Sequence, residues 1–388
     1  MKILFVKSTA FDINKGGVQR TTYKMGSYFH SIGYEVFYFS LKNSGHQHKY
    51  PGHQFNAIEP NGASNKENIA KLKALIEKIS PKIIINQMPY IKSLSKVLSD
   101  YSRKNTDVRL IGCLRNTLFS FKDNIKNTTK RILPASVFKI INNKIGFSLI
   151  LAYHYFKHRS QLRTILKRHD YFVLLTPANK KELEFFVGDF LSNKIAIIPN
   201  SIPNIEQCEA LKENTLLFVG KISEDHKRAD LLLPIWRLLV NRLPDWKFEI
   251  LGDGSLKERI TKEISLENLK NIKLLGSQQP EPHYRKAKLL LMTSEKEGFP
   301  NVILEAQSYG VIPFLFNSYM AVQDIIKNGE NGFHYPAFDI NKMVDGIEKI
   351  AKNDNLRKCI SIKCLDSAQD FTLDNVGRKW VNFFNQIA

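Results

Sequence analysis

The sequence predicts an α/β protein of two doubly wound domains, and three observations carry that prediction. Short apolar runs alternate with amphipathic helical stretches along the chain, the pattern of parallel sheets covered on both faces. The alternation stops at a turn-like stretch, Pro199 to Asn204 ("PNSIPN"), and then restarts. The 388 residues also exceed what a single hydrophobic core usually serves. The expected divisions are residues 1–203, 204–370 and a C-terminal helix at 371–388. Two serial α/β units of this kind form Rossmann-like domains facing a cleft.

The elements follow in order. Ile3 to Lys7 is an apolar run that reads as a strand. Val18, Thr22, Met25, Phe29 and Ile32 recur at helical spacing, so 18–31 is an amphipathic helix, ended by Gly33. Glu35 to Ser40 is the next strand, followed by strands at Lys82 to Ile85, Val108 to Cys113, Tyr171 to Thr176 and Lys194 to Ile198. Beyond the turn come a strand at Thr215 to Gly220, a helix at Asp230 to Asn241 and a strand at Trp246 to Leu251. A helix at Leu256 to Ile264 and a strand at Ile272 to Gly276 follow. Leu289 to Met292 is a continuous apolar run, as a buried parallel strand requires. Gly298 and Pro300 interrupt it and open a helix from Pro300 to Tyr309, because proline fits the first helical turn. Gly310 caps that helix, and Val311 to Phe316 is another strand. The tail, Thr372 to Ile387, is helical and carries Trp380, Phe383 and Phe384, so it must dock on a core. No solenoid repeat or low-complexity tract is present.

Composition narrows the class. With 43% hydrophobic and 24% charged residues the chain is globular rather than disordered. Cys113, Cys208, Cys359 and Cys364 are too few and scattered for a disulfide framework or a zinc site, and they fit a reducing compartment. "MKILFVKSTAF" reads as a first strand rather than a signal peptide, and no run is long enough for a membrane-spanning helix. The expected location is therefore the cytoplasm. Net charge is +20 and uneven: residues 121–169 hold 11 Lys and Arg against Asp123 alone. Phe138, Ile145, Phe147, Leu149 and Leu151 are interleaved with these cations. That mixture suits an anionic membrane surface, here the inner face of the cell membrane. A solvated helix pair is the plainer alternative. Nucleic acid offers the same electrostatics, but no recognisable nucleic-acid module accompanies the charge, so it is not expected as a partner.

The chemistry-bearing stretch is "SEKEGFPNVILEAQSYGVIP", Ser294 to Pro313. It is strand–loop–helix–strand, and its loop lies at a strand's carboxyl end, where open α/β sheets bind ligands. Asn301 and Glu305 share a helix face that is otherwise largely apolar, so the Glu305 charge needs partners. Three readings stand for Glu297 and Glu305: a Ser294–Glu297 capping box, which Pro300 disfavours, a structural ion pair, or acceptance of hydrogen bonds from ligand hydroxyls. Gly16-Gly17, between the first strand and its helix, lets a loop approach a phosphate closely, but it is not a dinucleotide fingerprint. Gly220-Lys221 ends a strand, and Lys227 and Arg228 precede the next helix, where a cation could hold a diphosphate.

"EGFPNVILEAQSYGVIP", with a Glu, seven residues and a second Glu, resembles the nucleotide-sugar signature of glycosyltransferase family four. "VGKISEDHKRADLLL", "WKFEILGDGS", "IKLLG" and "IIPNSIPN" resemble that family's other blocks in order and spacing, and "GG" at 16–17 extends the likeness. The resemblance implies a GT-B fold, with residues 1–203 binding acceptor, 204–370 binding nucleotide sugar and the C-terminal helix crossing back to the first domain. It implies retaining, hexosyltransferase-type transfer from a nucleotide diphosphate donor without a metal or other cofactor, and no Asp-x-Asp motif is present. The acceptor would be a glycan or lipid-linked molecule in bacterial surface polysaccharide assembly. Carried over by position, Glu297 binds donor-sugar hydroxyls and Glu305 the ribose, while Gly298, Phe299, Pro300, Asn301 and Val302 hold sugar and phosphate. Lys227 neutralises the diphosphate with Lys221, beside Gly220, and Gly16 and Gly17 close on it. Lys221 stands where the family often has Arg, and Arg115, followed by Asn116, where it commonly has His. Arg115 and Asn116 are assigned to the acceptor side, and Arg115 points to an acidic or phosphate-bearing acceptor. His46, His48 and His53 are assigned to an acceptor-side loop rather than a metal cluster. Two rival readings are a nucleotide-sugar epimerase of the same fold and a catalytically inactive membrane- or nucleic-acid-binding protein.

Overall fold

The computed structural model describes residues 1–13, 16–41, 50–56, 66–119, 133–189, 192–205 and 211–387. They form two compact units, Met1–Ser201 with Val376–Ala388, and Ile202–Asn375.

The first unit is built on a seven-stranded parallel sheet. In chain order its strands are β1 (Lys2–Lys7), β2 (Glu35–Ser40), β3 (His53–Asn56), β4 (Ile83–Asn86), β5 (Arg109–Cys113), β6 (Tyr171–Leu174) and β7 (Ile195–Ile197), arranged β3-β2-β1-β4-β5-β6-β7. The reversal of direction about β1 is the switch point of a doubly wound sheet. Helices α1 (Gly17–Ser31), α2 (Lys66–Ile79), α3 (Lys92–Lys104), α4 (Ala135–Ile141), α5 (Lys144–Arg168) and α6 (Pro177–Val187) connect the strands. The central strands are apolar between their ends because both faces are covered: Ile3, Leu4, Val6, Ile84, Ile85, Leu110 and Ile111 are almost fully buried.

The second unit has a six-stranded parallel sheet. Its strands β8 (Thr215–Val219), β9 (Lys247–Leu251), β10 (Ile272–Gly276), β11 (Leu289–Met292), β12 (Ile312–Asn317) and β13 (Phe333–Pro336) run in the order β10-β9-β8-β11-β12-β13. The helices are α7 (Leu232–Leu239), α8 (Lys257–Leu266), α9 (Glu281–Lys286), α10 (Asn301–Gln307), α11 (Val322–Ile325), α12 (Ile340–Ala351) and α13 (Asp354–Gln369). Trp236, Phe248, Phe314 and Phe316 fill one face of this sheet, packed with Met343 and Ile347 of α12.

The last helix, α14 (Leu373–Ile387), returns to the first unit from Val376 onward. Trp380 and Phe384 close on the Phe29 ring of α1 at centroid distances of 6.4 and 5.3 Å, and Phe383 meets Tyr171 edge-on at 5.7 Å. Arg109 Nε donates to the Ile387 carbonyl at 2.7 Å, satisfying one of the helix's terminal acceptors.

Some elements differ from the sequence expectation. The helix expected at 230–241 begins as a 3₁₀ turn, Ala229–Leu231, and is α-helical only over Leu232–Leu239. Pro234 lacks the N–H that would bond back one turn, so regular helical bonding starts late. Strands β3 and β13 were not anticipated; each has four residues and sits at a sheet edge, where no apolar run is required. His53 lies on β3 with its ring stacked on Phe37, not on a loop, while His46 and His48 fall outside the described residues.

Residues 121–132 of the basic segment lie outside the described residues, and the rest forms α4 and α5. The C-terminal half of α5 docks on the core, through Leu162, Ile165 and Leu166, with Tyr155 stacked on the Phe186 ring. Its earlier turns expose Ile145, Leu149, Tyr153 and Phe156, which share one helix face. Among the described residues no helix is long and apolar enough to cross a membrane.

Candidate functional site

The carboxyl edge of the second sheet is drawn together by close backbone approaches. A Cβ on Gly252 would lie 1.8 Å from the Gly220 carbonyl, so only glycine lets the loop after β9 lie against the end of β8. Ile222 N–H donates to the Asp253 carbonyl at 2.9 Å across the same seam. Lys227 runs its aliphatic stem past Gly220, at van der Waals distance from where a Cβ would sit. The loop after β11 fastens to this segment: Glu295 N–H donates to the His226 carbonyl at 2.9 Å and Thr293 Oγ1 to the Lys227 carbonyl at 2.8 Å. Ser318 Oγ, after β12, donates to the Ser294 carbonyl at 2.7 Å. Three strand ends therefore fix the loop that carries Glu297.

Lys227 Nζ donates to Glu297 Oε1 at 2.6 Å, and both side chains are mostly buried. A charge-assisted bond this short, partly screened from water, holds the carboxylate in one orientation. Behind it lies Tyr319, whose hydroxyl is pushed well above its ordinary range, first by burial and then by the Glu297 charge. Ser294 is buried with its Oγ unpartnered, so it does not cap the following helix. Phe299 and Pro300 are buried and Gly298, Asn301 and Val302 half-buried, which fixes the turn into α10. Among the described residues neither Gly298 nor Phe299 donates its N–H to a backbone carbonyl. Glu305 is half-buried on α10, and Tyr284 Oη donates to its Oε2 at 3.4 Å. Lys221 is exposed.

Arg228 and Lys227 part company in the fold. Arg228 adopts left-handed backbone angles, donates through Nε and Nη2 to Asp230 and stacks on Phe338 at 4.7 Å. Its charge is satisfied internally, which leaves Lys227 as the cation beside Glu297.

In the first unit Gly16 is the residue before α1, at φ 115°, a conformation that favours glycine, and Gly17 is the first helical residue. Arg115, just past β5, donates through Nε to Gln87 Oε1 and through Nη1 to Asn200 Oδ1, both at 2.7 Å. Asn116 is exposed. The sequence reading missed three neighbours of Arg115. Lys7 ends β1 and is only 4% exposed; burial, and then the nearby Arg115 charge, lower its pKa from 10.5 to about 8. Gln87 follows β4, and Asn200 follows β7 inside "IIPNSIPN". The signal was positional, since each stands at the carboxyl end of a strand in one parallel sheet. The same holds for Thr293, Ser318 and Tyr319 in the second unit.

Residues 204–363 match the family described as glycosyl transferases group 1. Among curated relatives, an uncharacterized glycosyltransferase of Haemophilus influenzae is 27% identical over 216 residues, 54% of this chain and 60% of that protein. A Campylobacter jejuni alpha-1,4-N-acetyl-D-galactosaminyltransferase, named for an acceptor that is a glycan on undecaprenol diphosphate, is 25% identical over 177 residues, 45% of this chain and 49% of that protein. The chain thus spans about half to three-fifths of the length of these relatives. Anabaena HepE in complex with UDP superposes with a TM-score of 0.73 at 15% identity, covering 100% of both chains. That likeness establishes the GT-B fold for the chain.

Proposed function

We propose that the chain is a retaining, metal-independent glycosyltransferase of hexosyltransferase type, within the fourth glycosyltransferase family. It moves a sugar from a nucleotide diphosphate to a glycan or lipid-linked acceptor in bacterial surface polysaccharide assembly. The observation that carries this reading is the 2.6 Å Lys227–Glu297 pair, fixed by three strand ends at the edge where α/β sheets take ligands. A free ion pair of this kind has only modest stabilising value, but as a preset cation and anion it matches a diphosphate and the hydroxyls of the sugar attached to it.

In this reading Glu297 accepts hydrogen bonds from donor-sugar hydroxyls and Glu305 from the ribose. Lys227, with Lys221, offsets the charge that develops on the departing diphosphate. Gly220 and the turn from Gly298 to Val302 let the backbone approach the sugar and phosphate, and Gly16 and Gly17 are assigned to donor binding as well. No carboxylate is assigned as nucleophile. The acceptor hydroxyl attacks C1 from the face the phosphate leaves: the C1–phosphate oxygen bond breaks, the C1–acceptor oxygen bond forms, and the acceptor proton passes to the departing phosphate oxygen. The name of the Campylobacter relative supports a lipid-linked acceptor. The exposed apolar face of α5, set among Lys139, Lys144 and Lys157, supports peripheral binding at the cytoplasmic face of an anionic membrane.

The test is a thermal-shift panel of nucleotide sugars on the full chain, followed by transfer assays with the sugar that stabilises it. Glu297→Ala should cut turnover at saturating donor by at least a hundredfold. Unchanged turnover sinks the assignment.

A further inference from the structure

The first unit carries a cationic site that the donor chemistry leaves unexplained. Lys7, Gln87 and Arg115 stand at the carboxyl ends of the adjacent strands β1, β4 and β5. Gln87 N–H bonds to the Val6 carbonyl at 3.0 Å, which sets it beside the end of β1. Its Oε1 is taken by Arg115 Nε, and its Nε2 is buried without a partner. Lys7 and Gln87 are 4% and 5% exposed. Among the described residues no carboxylate pairs with Lys7 or Arg115, although other buried or half-buried cations of the chain, such as Arg228 and Arg357, have one. An unpaired buried ammonium beside a guanidinium costs stability, and such an arrangement persists where a ligand repays it. Arg115 is also held at a fixed angle by Gln87 and Asn200, as recognition of a planar or tetrahedral oxyanion needs.

We propose that Lys7, Gln87 and Arg115 form a recognition site for a phosphoryl group carried by the acceptor. The assignment to acceptor rests on the transferase reading above, because the donor diphosphate is there allotted to Lys227. Two ammonium- or guanidinium-type charges and an amide N–H₂ match a phosphate monoester or diphosphate better than a carboxylate, which needs one cation for neutrality. The site would therefore select acceptors bearing phosphate near the attacking hydroxyl and pass over neutral glycans.

The test uses the full chain, with inorganic phosphate and glycerol 3-phosphate as probes and glycerol as the neutral control, at matched ionic strength. Four variants are compared with the wild type: Lys7→Met, Arg115→Gln, Arg115→Lys and Lys227→Ala. Both phosphates should raise the melting temperature of the wild type and of Lys227→Ala, and glycerol should not. Half-saturation should move at least tenfold upward in Lys7→Met and Arg115→Gln, with partial retention in Arg115→Lys. Lys7→Met guards against misfolding, since it removes an unpaired buried charge. Equal phosphate response in Lys7→Met and the wild type overturns the site. Loss of the response in Lys227→Ala alone overturns it too, by showing that phosphate reports the second unit. Weakened stabilisation of Lys7→Met by a nucleotide sugar overturns the acceptor assignment. If no nucleotide sugar stabilises the wild type, the transferase reading falls and the acceptor assignment with it, whereas the phosphate arm judges the site by itself.

Discussion

Replacing Lys7 by methionine should make the protein more stable. The ammonium is nearly excluded from solvent and faces the Arg115 guanidinium, and its pKa falls from 10.5 to about 8. At about 1.4 kcal/mol for each pH unit of displacement, the charged form costs the folded state roughly 3 kcal/mol. Methionine matches the length of the stem and carries no charge, so it removes that cost and keeps the apolar contacts. For a unit of this size, about 3 kcal/mol corresponds to roughly 6–12 °C in its melting temperature. The pH dependence gives the stricter check. The folded pKa lies below the unfolded one, so between about pH 8 and 10.5 the unfolded chain binds more protons at this site, and stability rises with pH. Below about pH 8 the penalty is fully present. The gap between Lys7→Met and wild type should therefore be largest at pH 7 and shrink steadily toward pH 10, measured by scanning calorimetry or chemical denaturation at several pH values. Other groups that titrate in this range do so in both proteins and cancel in the difference. A melting temperature lowered by Lys7→Met, or a gap that stays constant from pH 7 to 10, would refute the reasoning.

Three further outcomes are expected. Glu305→Ala should weaken nucleoside diphosphate binding by about 10- to 100-fold, as loss of charge-assisted hydrogen bonds to a ribose implies, and an unchanged Kd in calorimetry would remove Glu305 from the ribose site. Leu149→Glu, on the exposed face of α5, should reduce sedimentation with anionic vesicles by about tenfold while leaving neutral vesicles little changed, and equal binding by both proteins would count against a membrane role for this helix. Trp380→Ala should destabilise the first unit by about 3–5 kcal/mol, because a buried indole against Phe29 leaves a cavity; a denaturation midpoint within error of wild type would contradict the docking of α14.

Much of the fold was legible because parallel strands buried on both faces must be apolar runs. Glu35–Ser40 and Leu289–Met292 were readable to the residue for that reason, and Ile272–Gly276, a half-buried edge strand, from its own short apolar run. Strands β3 and β13 were not, since four residues at a sheet edge need no apolar continuity and take their conformation from the neighbouring strand. The Glu297 loop and Lys227 were legible through glycine and proline punctuation at strand ends. Their mutual 2.6 Å contact was not, because it joins loops 70 residues apart. Arg228 shows the converse: in sequence it matches Lys227, and only the left-handed turn and the Asp230 and Phe338 contacts separate their roles. Lys7 was invisible because a lysine closing an apolar run reads as a solvated strand end. Arg115, whose charge acts on it, and Gln87, bonded to the Val6 carbonyl beside it, are both remote in sequence.

The placement of α14 bears on biosynthesis. The Phe29 ring is completely covered in the finished protein, in part by Trp380 and Phe384. Those two residues leave the ribosome only after all of Ile202–Asn375 has been made. At ~5–20 residues per second the nascent chain carries an uncovered aromatic groove for roughly 10–35 s. The first unit is thus completed only after the second has been made, and the turns of α14 act as the latch that ends its exposure to chaperones and proteases.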